Sequence, residues 1–120
     1  KINKMKKPIY KIFGVYLMIL FLMIVSNSAF GQITAIHFNA GWNDANGVEW
    51  FGKLSDVDKD KMDIGEGDCQ KKYAIAIVPT IVIFSDGEEV KRYQADLSFK
   101  MLATRDEIQN YIDELIMSQF

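Results

Sequence analysis

Few side chains in this sequence can carry chemistry, and each stands nearly alone. Cys69 is the single cysteine and His37 the single histidine among 120 residues. A lone thiol can attack as a thiolate or form a disulfide with another molecule; it cannot bridge within its own chain. Cys69 lies in GDCQKK, where Lys71 and Lys72 favour the thiolate, Asp68 opposes it and no base is adjacent. An incidental thiol is expected there, with an intermolecular disulfide as the functional alternative. A metal site needs several convergent ligands, and nothing in the sequence pairs with His37, so no metal is expected. Nucleophilic catalysis needs a nucleophile beside a base, and no Ser or Cys stands in such a motif. The acidic stretch DVDKDKMDIGEGD (56–68) lacks the ligand spacing of a calcium loop and reads as solvated strand and loop. No catalytic residue and no cofactor is expected.

The other stretch of interest is FNAGWNDANGVEW (38–50), in which Trp42 precedes Asn43-x-x-Asn46. Asparagine is a good helix N-cap, so a capping role is expected for Asn43. Trp42, beside the turn, reads as an exposed contact residue, and Trp50 as packing.

These residues need elements to position them. The first 31 residues read as a secretory signal peptide. MKKPIYK (5–11) is a basic opening, IFGVYLMILFLMIV (12–25) an uncharged apolar run, and Ala29 and Gly31 the small residues before a cleavage at Gln32. Residues 1–4 look like upstream translation. The alternative is an uncleaved anchor, but the 14-residue run falls short of the roughly 18–20 residues a bilayer span needs. Export points to the periplasm, with membrane contact only through this segment. Residues 1–31 hold five lysines and no acid, so the 89 residues from Gln32 onward carry nine basic and 16 acidic side chains, a net of −7. That balance argues against nucleic acid, which requires clustered Lys and Arg.

One domain is expected over 32–120. QITAIHFNA (32–40) is mostly apolar, as in a strand buried on both faces. Val48, Phe51 and Leu54 fall at helical spacing, so a short helix is expected there, weakened by Gly47 and Gly52. A short strand is expected over 57–64, then a loop and a helical turn over 65–75. Thr80 to Phe84 is β-branched and apolar, Asp86-Gly87 is a turn pair, and Glu89 to Gln94 resumes: a β-hairpin. Thr104 and Glu107 read as a capping box, and Ile108, Tyr111, Ile112, Leu115 and Ile116 as the apolar stripe of a helix running to Met117. The order suits a mixed sheet of about four strands with flanking helices, an α/β domain.

FNAGW ahead of the first helix, Lys72-Tyr73-Ala74-Ile75-x-x-Val78-Pro79-Thr80, and the following F-x-D-G-E hairpin resemble the thioredoxin family over residues 33–117. The resemblance implies that fold, with a cis bond at Val78–Pro79 beside the Trp42 turn. It also implies that Trp42, Asn43, Val78 and Pro79 could hold an extended segment of a partner protein by main-chain pairing. The family's redox motif is W-C-x-x-C, which needs an acidic thiolate and a resolving thiol. Asn43 and Asn46 stand at those two positions, His37 stands where the family keeps a buried acid, and Phe51 where it keeps a proline. The resemblance therefore implies a redox-inactive binding module or accessory subunit. A thiol oxidoreductase using Cys69 and a purely structural domain are the alternatives.

Overall fold

The computed structural model describes residues 31–120; the expected signal segment, apart from Gly31, lies outside the described residues. Four strands form one sheet in the order β2-β1-β3-β4. They are β1 (Ile33–Asn39), β2 (Asp58–Asp63), β3 (Thr80–Ser85) and β4 (Glu88–Gln94). β1 pairs with β2 in parallel and with β3 antiparallel, and β3 pairs with β4 antiparallel.

β1 is the inner strand its composition requires. Ile33 and Ala35 join a core with Val48, Phe51, Leu54, Ile81, Ile83, Ile108 and Ile112 on one face. Ile36 and Phe38 join Ala40, Ile75, Val78 and Val82 on the other. Alternation along a strand sends neighbouring residues to opposite faces, so a strand covered on both faces is apolar throughout. The two edge strands are charged instead. β2 exposes Asp58, Lys59, Asp60 and Lys61, and β4 exposes Glu88, Glu89 and Lys91. Charges on an edge oppose pairing with another chain.

The hairpin turns through Asp86 and Gly87, both at positive φ (52° and 83°), as a two-residue hairpin turn demands. Helix α2 (Arg105–Met117) starts at Thr104, whose side-chain oxygen accepts from the Glu107 N–H at 3.2 Å. Its apolar stripe buries Ile108 and Ile112 against the sheet. Helix α1 (Cys69–Lys72) is a single turn. Arg92 holds the chain that leaves it: its guanidinium donates to the carbonyls of Tyr73 and Ala74, each at 2.8 Å, and to the Glu89 carboxylate.

One expected element takes a different form. In place of a helix after Trp42 there are two 3-10 helices, Gly41–Asn46 and Glu49–Lys53. Asn43 interrupts the first with φ −114° and ψ 19°, and Gly47 ends it in extended backbone. Apolar residues at helical spacing still bury Val48, Phe51 and Leu54, but two breaks and two glycines leave too few consecutive bonds for α-helix nucleation. Long side chains satisfy the second piece. The Lys59 ammonium donates to the carbonyls of Gly52 and Leu54, and the Gln109 amide clasps the Ser55 backbone from α2 at 2.9 and 3.0 Å.

Candidate functional site

The register places two chain segments at the same end of the sheet. Phe38 pairs with Thr80, so β1 runs out toward Ala40 and Trp42 where β3 is entered from Pro79. The Val78–Pro79 bond is cis. The chain leaving β4 joins them, since Ala95 donates its N–H to the Pro79 carbonyl at 3.0 Å.

Asn43 ties this end together, and it does so from inside. It is 4 % exposed. Its Nδ2 donates to Asn39 Oδ1 at 3.1 Å and to the Phe99 carbonyl at 3.2 Å. Its Oδ1 accepts from Asn46 Nδ2 at 2.9 Å, and Asn39 Nδ2 donates to the Asn43 carbonyl at 3.2 Å. The capping role expected for Asn43 is therefore replaced. No side-chain cap bond is made at this helix, because the amide is spent on Asn39, Asn46 and Phe99. Asn39 and Phe99 were not singled out in the sequence. The spacing Asn39-x-x-x-Asn43-x-x-Asn46 was a usable signal; the Phe99 carbonyl, 56 residues away, had none.

The Phe99 loop is itself braced. The Asp96 carboxylate accepts from the N–H groups of Ser98 and Lys100 and from the Ser98 hydroxyl. Hydrogen bonding by Ser98, then by Lys100, holds this carboxyl below its usual range. Phe99 has φ +63°, a left-handed conformation that bulky residues avoid. Its ring meets Trp42 edge-on, with centroids 5.1 Å apart. Trp42 is 67 % exposed, Phe99 38 % and Leu97 92 %, so this part of the chain carries exposed apolar side chains. Val78, in contrast, is 2 % exposed, and Pro79 is among the fully buried side chains.

No protein-family model matches the chain, and no curated protein matches it. Solved structures do. A thioredoxin mutant from Halobacterium salinarum aligns with a TM-score of 0.55 at 23% identity, covering 74% of this chain and 79% of that one. The fold is thioredoxin-like. Reduced Schistosoma mansoni thioredoxin pre-protein aligns at TM-score 0.53 and 19% identity, covering 78% of this chain and 89% of its own. A malaria-parasite thioredoxin-2, described as a component of that parasite's protein secretion machinery, aligns at 0.53 and 14%, covering 70% and 84%.

On this thioredoxin-like frame the chain has one cysteine, so no Cys-x-x-Cys pair exists. Cys69 opens α1 and is partly buried; its Sγ lies 4.0 Å from Met62 Sδ. Burial pushes its thiol above the usual range, Asp63 and Glu66 add to that, and Lys72 opposes it. The acidifying effect expected of the neighbouring lysines is thus outweighed by burial and by two carboxylates that the fold brings close. Less thiolate means a poorer nucleophile.

His37 occupies the sheet face toward the second 3-10 helix, 5.3 Å from the Phe51 ring between centroids. It is 5 % exposed, and neither ring nitrogen has a hydrogen-bond partner among the described residues. Burial, and then the Lys61 ammonium, lower its pKa to about 4, so the ring is neutral at ordinary pH. Among the described residues no group of three or more His, Cys, Asp or Glu side chains could hold a metal ion.

Proposed function

We propose that this chain is a redox-inactive, thioredoxin-like binding module that holds an extended segment of a protein partner. The observation that carries the reading is the exposed Trp42–Phe99 pair, with exposed Leu97 two residues before Phe99, Trp42 standing on a turn fixed by asparagine amides instead of thiols. Exposed apolar surface of this kind marks contact sites, and a rigid aromatic anchor is the usual centre of one. The asparagine network supports binding and not chemistry, since an amide neither attacks a disulfide nor changes oxidation state. Val78 and Pro79 are buried, so Trp42, Phe99 and Leu97 take the contact in this reading.

The basic opening and apolar run of residues 1–31 support export, with the periplasm as the compartment and an envelope complex as the setting. The net charge of the 89 residues from Gln32 favours a protein partner over nucleic acid. Among the described residues no helix is long and apolar enough to cross a membrane.

The test is affinity capture from the native host with the tagged chain and its Trp42→Ala and Cys69→Ser variants, read by mass spectrometry. A partner held in near-equal amount, lost with Trp42→Ala and kept with Cys69→Ser, supports the reading. A partner captured covalently and lost with Cys69→Ser would restore the thiol oxidoreductase alternative. Capture unchanged by Trp42→Ala would leave a structural domain.

A further inference from the structure

Asn46 ends the first 3-10 helix and Gly47 follows it in extended backbone. They form the one Asn-Gly pair in the chain. In such a pair the glycine nitrogen can attack the asparagine side-chain amide, because glycine has no Cβ to hinder the approach. Here the folded turn restrains both reacting groups. The Gly47 N–H donates to the Asp44 carbonyl at 3.0 Å, and Asn46 Nδ2 donates to Asn43 Oδ1 at 2.9 Å. Both residues are only half-buried, so water reaches them when those bonds open.

The turn uses both members of the pair. A Cβ on Gly47 would stand 3.2 Å from the Asp44 carbonyl oxygen, tighter than ordinary van der Waals contact. Position 46 must supply an amide N–H, because the bonds of the network run one way. Asn46 Nδ2 donates to Asn43 Oδ1, and Asn43 Nδ2 donates to Asn39 Oδ1 and the Phe99 carbonyl. A carboxylate at position 46 would set an acceptor against Asn43 Oδ1, itself an acceptor. Turning the Asn43 amide over would mend that contact, but it would set Oδ1 against Asn39 Oδ1 and the Phe99 carbonyl. No orientation of that amide keeps all its partners.

We propose that Asn46 is a site of spontaneous modification, deamidation through the Gly47 nitrogen, which the closed turn holds back and which unlocks the turn once it occurs. The Gly47 nitrogen bonds to Asn46 Cγ and the Cγ–Nδ2 bond breaks. The proton lost by the Gly47 nitrogen passes through water to Nδ2, which leaves as ammonia. Water then opens the succinimide ring at either carbonyl, leaving aspartate or isoaspartate. One water is consumed and one ammonia released, with no change of oxidation state. The new carboxylate frees Asn43, and with it the Phe99 loop, whether or not a partner is bound.

The test is incubation of the protein at mildly alkaline pH, with peptide mapping by mass spectrometry to place the modified residue. Aspartate and isoaspartate are expected at Asn46 ahead of every other asparagine, and more slowly in the folded protein than in urea. Asn43→Ala and Asn39→Ala each remove bonds of the network and are expected to speed the reaction about tenfold or more. Ile108→Ala lowers global stability and leaves the turn intact. It is expected to leave the rate unchanged, which separates opening of the turn from unfolding of the whole chain. Asn46→Asp, which supplies the product directly, is expected to speed amide exchange around Phe99. The proposal is overturned if another asparagine reacts first, or if the folded protein reacts as fast as in urea. Unchanged rates in both Asn43→Ala and Asn39→Ala, an equal acceleration in Ile108→Ala, or unchanged Phe99 exchange in Asn46→Asp would overturn it as well.

Discussion

Acid is expected to destabilise this protein through its one histidine. An unhindered imidazole titrates at 6.5, and burial with the Lys61 charge brings His37 to about 4 in the folded chain. As pH falls through 6.5 the unfolded chain takes up a proton that the folded chain refuses. The stability from keeping His37 neutral is thus complete above pH 6.5, declines from there to about 4, and is exhausted below. The gap of about 2.5 units corresponds to ~3 kcal/mol in all, with roughly 2.5 kcal/mol already lost by about pH 4.5. That is a large share of the stability of a small domain. The assay is urea unfolding at a series of pH values between about 7.5 and 4.5, for the protein and for His37→Phe, which keeps a ring and removes the titration. Carboxylates add their own acid sensitivity. Glu89, hydrogen-bonded by Arg92, and Asp96, hydrogen-bonded by Ser98, both sit below their usual range. Both proteins share those groups, so the difference between the two curves isolates His37. An independent check is the imidazole NMR signal, unambiguous because the chain has one histidine. A flat difference curve, or an imidazole that titrates near 6.5, would refute the reasoning.

Three further outcomes follow from the packing. Asn43→Ala removes the bonds to Asn39, Asn46 and the Phe99 carbonyl and leaves their partners short; a loss of about 1–3 kcal/mol is expected in urea unfolding, with faster amide exchange around Phe99. Ile108 is fully buried between α2 and the sheet, so Ile108→Ala is expected to cost about 2–5 kcal/mol by the same measurement. Cys69, with its thiol pushed up by burial, Asp63 and Glu66, is expected to react with iodoacetamide at neutral pH more slowly than a free cysteine peptide; a faster reaction would show an activated thiol.

Most of the fold was legible because local signals and burial agree. The Asp86-Gly87 pair fixes the hairpin turn, the Thr104 cap starts α2, and the apolar run of β1 announces two covered faces. The segment after Trp42 was misread because side-chain spacing reports which residues are buried, not the backbone that buries them. Val48, Phe51 and Leu54 are inward as expected, but on 3-10 turns. The site was legible in its residue types and not in its bonds. Trp42 and the paired asparagines were visible, whereas Asn43 turning inward to Phe99 depends on a loop that only the folded sheet brings near. The Cys69 environment failed for a similar reason, since Asp63 and Glu66 reach it through the chain reversal between β2 and α1. That both His37 nitrogens lack partners is a property of the packed interior.

The measurement that tests the central claim most directly is calorimetric titration of the captured partner into the protein, Trp42→Ala and Cys69→Ser. Loss of an exposed aromatic anchor is expected to raise Kd about tenfold or more, near 1.4 kcal/mol, while Cys69→Ser leaves Kd unchanged. An unchanged Kd for Trp42→Ala, or binding abolished by Cys69→Ser, would contradict a binding module built on the Trp42 turn.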